Sequence, residues 1–184
     1  MTETHSLPDY LRPGLDLVFV GINPGAYSAR VGRYFATPQN RFWAALRASG
    51  VVDDPRPLEP GAERWLMDVG IGFTDVVKRP SASASDLKAA DFRDGVPLLR
   101  ERLLAASPLL VVFNGLTGLN AYRRHAEGVR EGAALGRQVT RIGRSYVYVA
   151  PSPSPANAAF SLERIGACYR EARQWRDELR RGDA

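Results

Sequence analysis

Apolar and polar positions along the chain fall into two kinds of block. Leu15-Asp16-Leu17-Val18-Phe19-Val20-Gly21-Ile22 is mostly apolar and β-branched, bounded by Pro13-Gly14 and by Asn23-Pro24-Gly25, the pattern of a strand buried on both faces. Leu109-Leu110-Val111-Val112-Phe113, closed by Asn114-Gly115, is a second such run, Tyr146-Val147-Tyr148-Val149 predicts a third strand, and Gly72-Phe73-Thr74-Asp75-Val76-Val77 a short one. Between the strands the apolar period lengthens. Residues 38–49 predict a helix with Phe42, Trp43 and Leu46 on one side and Gly50 as its stop. Residues 65–69 predict a helical turn and 116–125 a further helix. The longest helical pattern, 86–106, turns Leu87, Phe92, Leu98, Leu99, Leu103 and Leu104 inward, with Pro97 expected to break or kink it near Gly95. A final helix over 161–180 places Leu162, Ile165, Tyr169 and Trp175 inward behind Ser161 as N-cap. The proline-rich stretch 53–61 reads as a loop, and Pro80 to Ser85 (PSASAS) as a mobile one. Strands alternating with helices predict an α/β layered fold around a mainly parallel sheet.

Composition narrows the chemistry. With 184 residues, 45% of them hydrophobic, the chain is expected to form one domain over 1–184, its core spanning about 15–175. A single cysteine, Cys168, and two distant histidines, His5 and His125, cannot assemble a zinc ribbon, an iron–sulfur cluster or a disulfide framework within the chain. Any chemistry therefore runs on oxygen and amide side chains or on a borrowed cofactor. No apolar run approaches the roughly 18 residues of a membrane span, and MTETHSLPDY lacks the regions of a signal peptide, so a soluble, cytoplasmic protein with no membrane partner is expected. The net charge is +5, and all but Lys78 and Lys88 of the 25 basic residues are arginine. A polyanion is thus the first partner to test, beside the plainer reading of a solubilising surface.

In open parallel sheets, ligands sit beyond the carboxyl ends of the strands. The segments after the predicted strands are Asn23-Pro24-Gly25, Asp75 with Lys78-Arg79, Asn114-Gly115, and Pro151 to Asn157. Gly21-Ile22-Asn23-Pro24-Gly25 is neither a dinucleotide fingerprint nor a P-loop. It is a rigid turn that holds the Asn23 carboxamide at a strand end, where it can orient a water or merely cap the turn. In Tyr34 to Trp43, an exposed Phe35 offers a flat surface for stacking a base, whereas Phe42 and Trp43 read as core. The loop Ser152-Pro153-Ser154-Pro155 is stiff and uncharged, suited to gripping phosphates, filling a gap, or simply connecting two elements.

Taken in order, Gly21-Ile22-Asn23-Pro24-Gly25, Phe35-Ala36-x-Pro38-x-Asn40-Arg41-Phe42-Trp43, Gly72 to Val77 before Arg79-Pro80, and Pro151-Ser152-Pro153-Ser154 resemble the mismatch-specific uracil/thymine-DNA glycosylases of the uracil-DNA glycosylase superfamily. The similarity runs from about Leu15 to Arg173. It implies a three-layer α/β/α sandwich and monofunctional hydrolysis of the N-glycosidic bond of uracil opposite guanine in double-stranded DNA, initiating base excision repair. It also implies no cofactor and no metal, and a monomer is expected. Carried over, Asn23 is the residue that positions the attacking water and Phe35 the aromatic that stacks on the extruded base, with Ile22 and Ser28 lining the base pocket. Ser152, Pro153, Ser154, Pro155, Ala156 and Asn157 form the loop that enters the minor groove, and Arg79 and Arg41 are expected to hold phosphates at its edge.

Two departures from the family pattern stand out. Relatives with high uracil activity begin the last loop with a leaving-group histidine, and this chain has Ala150, which predicts slow turnover. Where the family commonly carries asparagine or lysine, this chain has Asp75. Ionised, it can accept a proton from a water but cannot donate, so it is read as a second catalytic group assisting Asn23, or else as a structural partner of Lys78 or Arg79. Asp91 and Asp94 read as a solvated helix face. Two other classes compete: a non-catalytic nucleic-acid-binding protein on the same scaffold, and a small-molecule hydrolase using Ser152 or Ser154. The second is disfavoured because neither His5 nor His125 falls on a strand-end loop.

Overall fold

The computed structural model describes residues 6–182, so His5 lies outside the described residues. Five strands form one sheet: β1 Leu17–Gly21, β2 Ile71–Asp75, β3 Leu110–Asn114, β4 Gly136–Arg137 and β5 Tyr146–Ala150, in the order β2-β1-β3-β5-β4. The first four in that order run parallel, and β4 lies antiparallel on β5. Side chains alternate between the two faces. Leu17, Phe19, Phe73, Val112 and Tyr148 enter one core with Phe42 of α2 (Phe42–Ser49) and Tyr169 of α6 (Leu162–Arg181). Val18, Val20, Val111, Phe113, Val147 and Val149 enter the other, with Val96 and Leu99 of a long helix, Ala89–Ala106, and Leu119 of a short one, Leu116–Tyr122. The architecture is therefore mixed α/β, with helices on both faces of a mostly parallel five-stranded sheet. Two further short helices, Ala26–Val31 and Glu63–Leu66, lie in the β1 to β2 connection. In chain order the helices are α1 (Ala26–Val31), α2, α3 (Glu63–Leu66), α4 (Ala89–Ala106), α5 (Leu116–Tyr122) and α6. Among the described residues no helix is long and apolar enough to cross a membrane.

Several boundaries differ from the sequence expectation, each for a local reason. α2 starts at Phe42, not 38, because Asn40 closes a turn on the Thr37 carbonyl at 2.8 Å and its Oδ1 caps the Phe42 amide at 2.9 Å. The long helix starts at Ala89, where Asp91 accepts the Lys88 amide at 2.7 Å. Asp91 is also ion-paired with Arg79, and does not simply form a solvated face with Asp94. Pro97 does not break α4. It lies on the exposed side, where water can serve the Arg93 carbonyl that loses its donor. The inward positions are Val96, Leu99, Leu103 and Ala106, while Leu98 and Leu104 face solvent. Gly95 is required by close approach: a Cβ there would stand 2.6 Å from the Val76 carbonyl oxygen, so α4 packs hard against the end of β2. In α6, Ser161 caps through Arg164 N at 3.1 Å, and Leu162 is exposed while Ile165, Tyr169 and Trp175 are buried.

The Pro80 to Ser85 segment, expected to be mobile, is pinned. Ala26 N donates to Ser81 O at 2.8 Å and Ser81 N to Pro24 O at 3.2 Å, and Ser83 with Asp86 forms a capping box. On the outer side of β2 the chain before β1 adds a single antiparallel bridge: Tyr10 N to Phe73 O at 2.9 Å and Phe73 N to Tyr10 O at 3.0 Å. The connections from β1 run to β2 on one side and then back to β3 on the other, so the strand order reverses between β1 and β3. A crevice is expected at the carboxyl ends of those two strands.

Candidate active site

A cavity of about 290 Å³ opens at that reversal point, near the small end of the roughly 300–1,000 Å³ of ligand pockets. The ends of β1, β2, β3 and β5 all reach it: Asn23, Asp75, Asn114 and Ser152 line it, with Ser28 and Phe35 from the β1 to β2 connection. Among the described residues Asp75 is its one carboxylate, and no lysine, arginine or histidine lines it.

Asp75 ends β2 beside Gly21 of β1, its register partner. Glycine at 21 makes room for the carboxylate, because a Cβ would sit 2.5 Å from Asp75 Oδ1. The side chain is buried, and Oδ2 has no hydrogen-bond partner among the described residues. Lys78 Nζ is 3.7 Å from Oδ2, while Arg79 pairs with Asp91 at 2.7 Å and leaves Asp75 alone. Burial pushes the Asp75 carboxyl up to about 6, against the opposing pull of Lys78. It is thus ionised at neutral pH and is a stronger base than an ordinary aspartate.

Asn23 is oriented by three acceptors. Its Nδ2 donates to Pro24 O at 3.2 Å, Arg79 O at 2.9 Å and Ser81 Oγ at 2.8 Å. Two of these are carbonyls, which can only accept, so the nitrogen must face them and Oδ1 is the atom left for a ligand. The backbone beside it is equally tied, with Val76 N on Gly21 O and Val77 N on Ile22 O, both at 2.9 Å. Ile22 lines the cavity next to it.

Phe35 holds a left-handed backbone at φ 51°, a conformation disfavoured for a side chain of this size. Its neighbours enforce it. Tyr34 N donates to the buried Glu63 carboxylate at 3.1 Å, Trp43 Nε1 donates to Tyr34 O at 2.9 Å, and Ala36 N donates to Ser28 Oγ at 3.0 Å. Ser28 is buried and serves the site as this tether. One face of the Phe35 ring stacks on Phe42 at 4.1 Å and 19°. The ring, expected to be exposed, is partly exposed at the cavity and is backed by the core on its other face.

The 152–157 loop is braced from below. Arg41 Nη2 donates to Ser154 O at 2.8 Å and Asn157 O at 2.6 Å, its Nη1 donates to Phe160 O, and its backbone N to Pro153 O at 3.1 Å. This corrects the expectation that Arg41 holds a phosphate: its guanidinium is spent on loop carbonyls. Arg79, half exposed, is engaged bidentately by Asp91 at 2.9 and 2.7 Å, so its charge is largely matched by the protein. Asn157 turns inward, Nδ2 donating to Ser152 O at 3.0 Å. Ser152 Oγ accepts from Ser154 N and Ser154 Oγ from Ala156 N, both at 3.3 Å. Pro155 and Ala156 form the exposed tip. Among the described residues neither serine has a histidine beside it in the cavity to serve as the base of a serine hydrolase.

The sequence model of the Uracil DNA glycosylase superfamily matches residues 8–175. The chain belongs to the uracil DNA glycosylase superfamily. Membership makes the protein a DNA glycosylase, a hydrolase that acts on DNA. The solution NMR structure of a Methanosarcina acetivorans protein, provisionally named a uracil DNA glycosylase, shares the fold at a TM-score of 0.53 and 23% identity, covering 92% of this chain and 98% of that one. Among the described residues of the glycosylase, no group of three or more His, Cys, Asp or Glu is placed to hold a metal ion.

Sequence reasoning assigned no role to several residues at the glycosylase site. Leu7 and Tyr34 line the cavity, and Asp9 sits behind Asp75. Asn114, at the end of β3, is buried with Oδ1 accepting from Tyr169 OH at 2.7 Å and Nδ2 unpartnered among the described residues. The strand-end rule already marked Asn114, whereas residues 7–9 precede the first apolar run and carry no periodic signal.

Proposed function

We propose that the protein is a monofunctional, mismatch-specific uracil-DNA glycosylase that takes uracil out of a G·U pair in duplex DNA, initiates base excision repair, and acts as a monomer. The observation that carries this is the pairing of Asn23 Oδ1, left free because the two Nδ2 protons face three acceptors, with a buried, ionised Asp75 at one otherwise uncharged cavity. A base extruded into the cavity meets the open side of Phe35, whose other face is already stacked. Extrusion costs a few kcal/mol, and less at a mismatch. The exposed Pro155-Ala156 tip is the wedge for the space the base leaves, small and apolar.

Hydrolysis then follows glycosidic logic. Asn23 Oδ1 accepts from a water and aims it at C1′. The water oxygen forms a bond to C1′, the C1′–N1 bond breaks with its electron pair leaving on uracil, and Asp75 takes the proton from the water. Ala150, fully buried, places a methyl group at the head of the last loop, so no side chain there donates to the departing uracil anion and turnover is slow.

Incubation with a duplex carrying one G·U pair, followed by alkali, tests the reading. Strand cleavage that Asn23→Ala and Asp75→Ala each reduce by ~100-fold or more is expected. Binding without cleavage by the wild-type protein favours the non-catalytic alternative, and equal excision from G·U and A·U pairs removes the mismatch preference.

A further inference from the structure

Two cations serve two carboxylates behind the cavity, and they serve them unequally. Asp9 Oδ1 accepts from Lys78 Nζ at 2.9 Å and from Thr74 Oγ1 at 2.7 Å, and its Oδ2 stands 3.4 Å from Arg102 Nη1. Lys78 keeps 3.7 Å from Asp75 Oδ2, beyond hydrogen-bond length. Arg102 gives its Nη2 to the backbone carbonyl of Asp75 at 2.9 Å, not to its carboxylate. Tyr34, the remaining polar group facing Asp75, donates its hydroxyl proton to Pro8 O at 3.1 Å. The charged and titratable groups around Asp75 are thus Lys78 from the segment after β2, Arg102 from α4, Tyr34 from the segment before α2, and Asp9 from the chain before β1. The shorter contacts of Lys78 and Arg102 go to other groups, Lys78 holding Asp75 only through the 3.7 Å ion pair while its Nζ also donates to Tyr34 OH at 3.3 Å, and Asp9 engages both cations. The Tyr10–Phe73 bridge docks Asp9 beside Thr74 and so sets that geometry.

We propose that Asp9 is a positioning residue that draws Lys78 and Arg102 toward itself and so keeps the Lys78 ion pair with Asp75 long, leaving Asp75 Oδ2 without a charged hydrogen bond and able to accept a proton. Its consequence for activity rests on the reading of Asp75 as the acceptor of the water's proton. With a neutral residue at 9, Lys78 needs to move only ~1 Å to close a charged hydrogen bond on Asp75, and a carboxylate so paired is a weaker base. Asp9 itself also adds a like charge that favours the protonated form of Asp75.

The test titrates the Asp75 carboxyl by 13C NMR and records the pH–rate profile on a G·U duplex, for wild type, Asp9→Asn, Asp9→Glu, Lys78→Met and Asp75→Asn. Asp9→Asn keeps an acceptor for Thr74 but removes the charge. The Asp75 midpoint and the acid limb of the profile are expected to fall together by ~1 pH unit in Asp9→Asn, to return toward wild type in Asp9→Glu, and to rise in Lys78→Met. An unmoved midpoint in Asp9→Asn, or a shift in the same direction for Asp9→Asn and Lys78→Met, overturns the inference. If Asp9→Asn does not fold, an unmoved midpoint in Lys78→Met overturns it equally. Wild-type excision by Asp75→Asn refutes the catalytic role of Asp75 alone, because the NMR midpoint reports on Asp9 without reference to turnover.

Discussion

Replacing Asp75 by asparagine removes a buried charge that the fold tolerates at a cost. Burial moves the carboxyl from 3.8 to about 6, so the folded protein holds this proton more tightly than the unfolded chain. Between those two values the native state carries more bound protons, and stability falls as pH rises through the window. Above about 6 the cost is complete, about 3 kcal/mol at 1.36 kcal/mol per pKa unit. An amide has the same shape and no charge, and Lys78 keeps its 2.9 Å partner Asp9. Asp75→Asn is therefore expected to be more stable than wild type by about 3 kcal/mol at pH 7.5, and by only about 1 kcal/mol at pH 4.5. Urea unfolding at the two pH values measures both differences. The same variant is expected to lose uracil excision by ~100-fold or more, so that stability and activity move in opposite directions. A variant no more stable than wild type at pH 7.5, or one whose advantage is the same at both pH values, refutes the reasoning.

Three other substitutions probe the rest of the site. Gly21→Ala drives a methyl group to 2.5 Å from Asp75 Oδ1. It is expected to lower stability by about 1–3 kcal/mol and excision by ~10-fold or more, read by thermal unfolding and single-turnover cleavage, with an intact rate arguing against the placement of Asp75. Arg41→Ala frees the carbonyls of Ser154, Asn157 and Phe160. Duplex affinity is expected to fall with an unchanged salt slope, because an arginine that binds a phosphate lowers that slope by about 1 and one that braces a loop does not. Phe35→Ala removes a stacking face worth roughly 1–3 kcal/mol per base, and is expected to weaken product-base and substrate binding in titrations while leaving the acid limb of the pH–rate profile in place.

Much of the fold was legible because strands buried on both faces write themselves as apolar runs. β1, β3 and β5 fall within a residue or two of those runs, and the carboxyl ends they define enclose the cavity. Asn23, Phe35, Asp75 and the 152–157 loop came from that rule combined with motif resemblance. What was not legible depends on contacts distant in sequence. Nothing local shows that Arg41 reaches carbonyls more than a hundred residues away, or that Asp9 sits against Lys78. Pro97 was misread because proline's penalty depends on which side of the helix loses the hydrogen bond. Ser81 looked loose because serine, alanine and proline carry no apolar signal, yet its backbone pairs with the turn after β1.

The margins of the sheet bear on how two copies meet. β4 offers its neighbour only Gly136 and Arg137 before the ladder stops, and the far side of β2 is already taken at Phe73 by Tyr10. An incoming strand therefore finds at one border a charged two-residue stub and at the other a row interrupted at its centre. Extended strand-to-strand stacking needs a run of free backbone groups, so crowding of the protein on damaged DNA does not bring with it a template for fibre growth.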